Sequence, residues 1–190
     1  MDISSIIVLV VIVAVGFYGV TIYNGLVALK HSVSKAWSNI DVLLKQRHDE
    51  LPKLIEVCKQ YMGYEQETLK RVITARSAVS SAREAGDVGK LGAAETLMRK
   101  GLGGLFALAE NYPELNANEN FQHLQDRITS LENSIADRRE FYNESVNLNN
   151  IRIDQFPDVV IARWFRFDHR ELLEFSESET QDVDMKALFN

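Results

Sequence analysis

The sequence predicts an all-α protein: an N-terminal transmembrane helix followed by an elongated antiparallel up-and-down helical bundle. The bundle has three long helices, or four if the first breaks at Pro52. Three observations predict this. Residues 3–29 are 27 consecutive positions without a formal charge. Beyond them, apolar residues recur at steps of three and four, the period of a helix face. The turn-forming residues, with 3 Pro and 10 Gly in 190 positions, gather in a few short clusters. At 46% hydrophobic and 25% charged, the chain can build one ordinary core and falls outside the disordered and collagen-like classes.

Residues 1–29 read as the anchor. A helix of about 20 apolar residues spans a hydrocarbon core of roughly 30 Å, and Ile6 to Val15 contains nothing but Ile, Val, Leu and Ala. Phe17, Tyr18 and Tyr23 stand where interfacial aromatics are expected. A cleaved signal peptide fits less well, because Asp2 and the α-amino group are the only charges before the run and no small-residue cleavage site follows. Lys30, Lys35, Lys45 and Arg47 follow the run and no Lys or Arg precedes it. By the positive-inside rule, that bias predicts an outer amino terminus and a cytoplasmic body.

Residues 30–157 read as the bundle. The first stripe runs Val33, Trp37, Ile40, Leu44, Arg47, Leu51, Leu54, Cys58, Tyr61, Glu65, Leu69, Val72, Arg76, Val79. It contains one slip and keeps phase through Pro52, which favours a kink there over a break. Ala85 to Gly89 is the clearest turn. The second stripe runs from Leu91 to Tyr112 and stops before Pro113. Asn118 is placed as an N-cap with Glu119 in the first turn. The third stripe runs from Phe121 through Ile128, Ile135, Arg138, Tyr142 and Asn149 to Phe156, and Pro157 ends it. Residues 158–168 show no helical period and read as an aromatic and basic strap. Within it, Arg163, Trp164, Phe165, Arg166 and Phe167 are candidates for membrane or partner contact. Residues 169–190, with six acids against Arg170 and Lys186, read as an acidic tail.

No catalytic constellation is visible, and no cofactor or metal is expected. None of the four His has a carboxylate three residues before it, as a di-iron bundle needs. Gly101-Leu-Gly-Gly104 does not extend to a dinucleotide fingerprint and reads as small residues for close helix approach. Cys58 lies on the core stripe, as a buried thiol would. A net charge of −6 argues against nucleic acid. The anomalies are polar residues on or beside the stripes: Arg47, Glu65, Arg76, Glu110, Glu132, Asn133, Arg138 and Arg139. Buried charges must pair, so these residues either form an interhelical network that fixes register or line a ligand pocket around Glu65, Arg76 and Arg138.

From Tyr23 to Phe167 the chain closely resembles the LemA family of bacterial membrane proteins. The motifs are YNGLV at Tyr23 to Val27, AWSNIDVLLKQRHDELPKLI at Ala36 to Ile55, AENYPELNANENFQHLQ at Ala109 to Gln125, and ENSIADRREFYNESVNLNN at Glu132 to Asn150. The resemblance implies one N-terminal membrane helix, a cytoplasmic helical bundle, and an association with a membrane zinc peptidase of the HtpX type. It assigns no catalytic or binding residue. The expectation is a non-enzymatic scaffold of the bacterial inner membrane, held in the bilayer through residues 3–29 and self-associating as a homo-oligomer or holding partner proteins. The alternatives are an adaptor of that membrane peptidase or of an envelope-stress pathway, and a ligand-binding sensor.

Overall fold

A computed structural model of the chain describes residues 2–174. Among these residues there are six helices and no strand: α1 (Ile3–Tyr61), α2 (Gln66–Ala85), α3 (Val88–Ala109), α4 (Pro113–Asn116), α5 (Glu119–Asp154) and α6 (Asp158–Trp164). Two compact units divide the chain. One takes residues up to 40 with 138–172, and the other takes 41–137 with 173 and 174.

In the second unit, α1 continues through Pro52 without a break. Proline has no N–H to give to the carbonyl of the residue four before it, here His48. That carbonyl is not left orphaned, because the Nε of Arg76 donates to it at 3.0 Å. Pro52 itself lies on the exposed face, where its ring meets solvent. The break falls later. The expected long first helix ends at Tyr61, and α2 begins at Gln66, so there are four long helices and the division is not at Pro52. Met62 stays fully buried while Gly63 and Tyr64 reach solvent. Glycine is about 1 kcal/mol poorer than alanine in a helix interior, which makes this the cheapest place to turn.

The next turn is two residues long. Gly86 closes α2 with φ of 66°, a left-handed conformation that costs glycine little. The N–H of Asp87 bonds to the carbonyl of Ala82 at 3.1 Å, satisfying an otherwise orphaned helix-end acceptor. Asp87 then caps α3 through the N–H of Lys90 at 2.9 Å. Gly101 is buried against Val72, whereas Gly103 and Gly104 are exposed. Pro113 opens the short α4, and Asn118 caps α5 through the N–H of Phe121 at 3.1 Å. Leu44, Leu54, Leu91, Met98, Leu105, Phe121 and Ile128 fill the core between these helices. Cys58 lies among them, and burial pushes its thiol up to about 11, out of reach of thiolate chemistry at neutral pH.

The first unit divides the uncharged run. From Ile3 to Val20 every residue except the half-buried Gly19 is exposed. The hydroxyl of Thr21 turns back onto the carbonyls of Phe17 and Tyr18, 2.9 Å from each. Ile22 and Leu26, by contrast, are buried with Ile153 and Ala162, and Ile161 and Phe167 pack over them. The last turns of the expected anchor are therefore body. An apolar helix carries no label for which of its turns meets lipid and which meets protein. Among the described residues, α1 is the one helix long and apolar enough to cross a membrane.

Residues 158–168 are also corrected. Asp158–Trp164 is helical, with Asp158 in the first turn and Arg163 in the last, charges that complement the helix ends. Seven residues are too few to show a period. Residues 169–174 are likewise packed in place. The side chain of Asn150 donates to the carbonyl of Arg170 and accepts from its N–H, both at 2.9 Å. The Tyr142 hydroxyl donates to the carbonyl of Glu171 at 3.0 Å, and Leu173 is buried. The rest of the expected tail lies outside the described residues.

Candidate functional site

The second unit holds a buried ion cluster. Arg47, 1% exposed, is brought in by α1 at a position where the stripe demands a core residue. Its two terminal nitrogens bond both oxygens of Glu95 on α3, at 2.9 and 2.5 Å. One of them also donates to Oε1 of Glu132 on α5. The other oxygen of Glu132 lies 3.9 Å from Nε of Arg99. Two guanidiniums therefore face two carboxylates, and the cluster is neutral. Burial by itself disfavours the Arg47 charge, but the Glu95 and Glu132 carboxylates outweigh it and hold its pKa above the ordinary value. A bidentate arginine fork fixes angle as well as distance, so the cluster sets the register of three helices at one level.

A second polar pair lies between α1 and α2. Arg76 donates Nε to the His48 carbonyl and sits 2.7 Å from the Nε2 of the His48 ring. A guanidinium has no acceptor, so Nε2 must accept and the ring is neutral with its proton on Nδ1. Desolvation and the neighbouring Arg76 hold the His48 pKa below its usual value. Arg83 adds to this, and Asp49 and Glu84 oppose it. The native state therefore binds fewer protons than the unfolded chain near this ring. The associated stability is present above the unfolded pKa of about 6.5 and is lost as pH falls through the folded value. Urea midpoints should drop on acidification below pH ~6.5, and His48→Gln should flatten that part of the profile. Arg76→Leu should cost about 1–2 kcal/mol by stranding a part-buried acceptor. Pro52→Ala, which restores the helical N–H donor, should reduce that cost in a double-mutant cycle.

The first unit carries an aromatic collar around α1. The rings of Tyr23 and Phe165 lie 4.7 Å apart between centroids, and those of Tyr23 and Phe167 lie 5.8 Å apart. Ile161 packs over Gly19, its Cδ1 3.9 Å from where a Cβ would stand. While α6 buries Ala162 and Asp158, it leaves Trp164 78% exposed and Phe165 54% exposed. Arg163 and Arg166 are exposed as well. Arg166 closes α6 with φ of 56°, and the N–H of Phe167 bonds to the carbonyl of Ala162 at 2.9 Å. A residue with a Cβ pays roughly 1–2 kcal/mol for that left-handed conformation, and glycine is the usual occupant.

A family model described as the LemA family matches residues 36–186. The chain belongs to the LemA family. The match takes in Arg47, Glu95, Glu132 and all of α6. Among curated relatives, magnetosome protein MamQ 2 of Paramagnetospirillum magneticum is 24% identical over 160 residues, covering 71% of this chain and 58% of the relative. MamQ of Magnetospirillum gryphiswaldense is 23% identical over 158 residues, with the same coverage. Protein LemA of Metamycoplasma hominis is 27% identical over 169 residues, covering 88% of this chain and 75% of that protein. The chain thus spans less than two thirds of the length of the magnetosome relatives.

Within this LemA-family chain, the polar residues singled out from the sequence separate into distinct groups. Arg47 and Glu132 meet in the ion cluster. Glu65 accepts from the Tyr112 hydroxyl at 3.2 Å, and Arg76 pairs with His48. Arg139 is half-buried and also engaged. Glu110, Asn133 and Arg138 are exposed, which removes them from a buried network. Glu65 and Arg76, expected to line one pocket with Arg138, pair with different partners, Tyr112 and His48, and Arg138 belongs to the other unit. Glu95, the principal partner of Arg47, was not singled out, although it stands one residue after Ala94 on the second stripe. Among the described residues no group of three His, Cys, Asp or Glu is placed to hold a metal ion.

The LemA-family chain ends its described part on a close approach. Gly92 is buried, and a Cβ added there would collide with the carbonyl oxygen of Glu174. Gly92→Ala should therefore push residues 173 and 174 off α3 and expose Leu173, at about 1.5–3 kcal/mol. Faster tryptic cleavage after Arg170 would report the release.

Proposed function

We propose that the protein is a membrane-anchored scaffold of the bacterial inner membrane that self-associates or holds partner proteins at the bilayer and catalyses nothing itself. One observation carries the reading. An apolar stretch exposed at every position but Gly19, Ile3 to Val20, runs without a break into a packed body whose first buried residue, Ile22, is two positions on. At 1.5 Å per residue, 18 residues reach about 27 Å, close to the roughly 30 Å hydrocarbon core of a bilayer. With no linker between span and body, the first unit stands at the membrane surface, as a platform for assembly needs. The buried polar groups support the reading because they are used in pairing helices, which favours architecture over ligand capture. Lys30, Lys35 and Lys45 after the span support a cytoplasmic body.

The test is extraction of the full chain into nanodiscs, followed by mass photometry. Homo-oligomers, or a reproducible protein partner, support the scaffold. A strict monomer without a recoverable partner overturns it. Protease protection in inverted and right-side-out vesicles decides the orientation: cleavage of the body in inverted vesicles alone is expected.

A further inference from the structure

We propose that α6 is a second membrane contact. It would seat Trp164 and Phe165 in the interfacial layer where α1 leaves the bilayer, with Arg163 and Arg166 reaching the phosphates of anionic phospholipids. The proposal rests on the anchor reading above and adds a lipid-binding surface to it.

Depth is fixed by two contacts. Ile161 packs over Gly19, in the last turn of the exposed apolar stretch, and the Phe165 ring lies tilted against Tyr23, four residues further along α1. Four residues are about 6 Å of helix, so α6 lies within a few ångströms of the level at which the span ends. That is the headgroup layer, where amphipathic aromatic rings are most favourable. The exposed face of α6 has the matching chemistry. Val160, Arg163 and Trp164 are three and four residues apart and share one face. Val160 is 53% and Trp164 78% exposed. The opposite face, with Ala162, is the one that packs on α1 and α5. The ring of Phe165 lies 6.5 Å from that of Trp164 and extends the aromatic surface. Large aromatics gathered on one surface mark a contact site, and basic residues around an apolar face mark a lipid interface.

The charges agree. Arg152 is committed to Asp158, but among the described residues neither Arg163 nor Arg166 has an ion-pair partner. Arg166 also holds a backbone conformation in which glycine would be easier. The turn itself therefore gives no reason for an arginine at this position.

The experiment uses the full-length protein in nanodiscs of phosphatidylcholine, alone or with phosphatidylglycerol. Trp164 is isolated as the difference between the wild type and Trp164→Phe. Lipids brominated near the glycerol backbone should quench Trp164, and acrylamide quenching should fall severalfold relative to a water-exposed indole. Phosphatidylglycerol should strengthen both effects, and Arg163→Gln with Arg166→Gln should abolish that gain. Arg166→Gly is the decisive control. It should keep or raise the thermal midpoint while reducing the dependence on phosphatidylglycerol, whereas a purely structural arginine would leave the lipid dependence unchanged. Trp164 freely quenched by acrylamide and silent to brominated lipid, in discs that retain the chain, overturns the proposal and leaves the anchor standing. Shielding from acrylamide without lipid quenching also overturns it, since a protein then covers the collar. A chain that carbonate washes off the bilayer overturns the anchor, and this proposal with it.

Discussion

Glu95→Ala is expected to destabilise the protein by about 3–5 kcal/mol, read as the shift in urea midpoint of the full chain in detergent. The change leaves Arg47, 1% exposed, with Glu132 alone, and Glu132 is shared with Arg99. The local charge changes from zero to +1 in a dry core. An arginine cannot relieve that by losing its proton. Arg47→Met is expected to cost a comparable amount, because it strands the Glu95 carboxylate, 3% exposed, without its principal partner. Arg47→Met with Glu95→Leu leaves the Arg99–Glu132 pair neutral and fills the site with apolar volume. That double variant should recover most of the loss, and it can exceed the wild type if packing is good. If it is stable but forms a different oligomer or a mixture of registers, the cluster is kept for specificity. If it remains as unstable as Glu95→Ala alone, charge imbalance is not what Glu95 prevents.

The stripes were legible because burial on one helix face imposes a period, and most stripe residues are buried. The break between α1 and α2 was legible too, in a signal easily passed over. The one doubled step of four in the first stripe is Tyr61, Glu65, Leu69, and α1 ends at Tyr61. Pro52 drew attention away from it, since the sequence does not show that Arg76, 24 positions later, supplies a donor in its place. Arg47 was legible as a charge where an apolar residue belongs. Glu95 was not: on α3 the buried face is wide enough to take in Ala94, Glu95 and Thr96 together, and a stripe with one residue per turn passes over its neighbours. Arg138 misled for the opposite reason. It keeps the period of α5 at a point where the helix passes from one unit to the other, and there the periodic position faces solvent.

The uncharged run poses the sharpest contrast, because Val11 and Leu26 are alike in composition and stand in opposite surroundings. Val11 is 54% exposed and Leu26 fully buried. Val11→Lys places a charge near the middle of the span, at about 3 kcal/mol, or roughly a hundredfold in the insertion equilibrium. Carbonate-resistant protein should fall accordingly, while the thermal midpoint of the body is unchanged. Leu26→Ala removes a side chain that packs with Ile22, Ile153 and Ala162, at about 2–5 kcal/mol. It should lower the thermal midpoint and leave insertion intact, since the exposed apolar stretch ahead of it is untouched. Reversed outcomes would put the boundary between lipid and protein beyond Leu26 and return the whole run to the bilayer. The expected outcomes put the boundary at Ile22, within about two turns of Gly16. There one continuous helix changes solvent without changing its alphabet, and only the partners supplied by α5 and α6 tell the two halves apart.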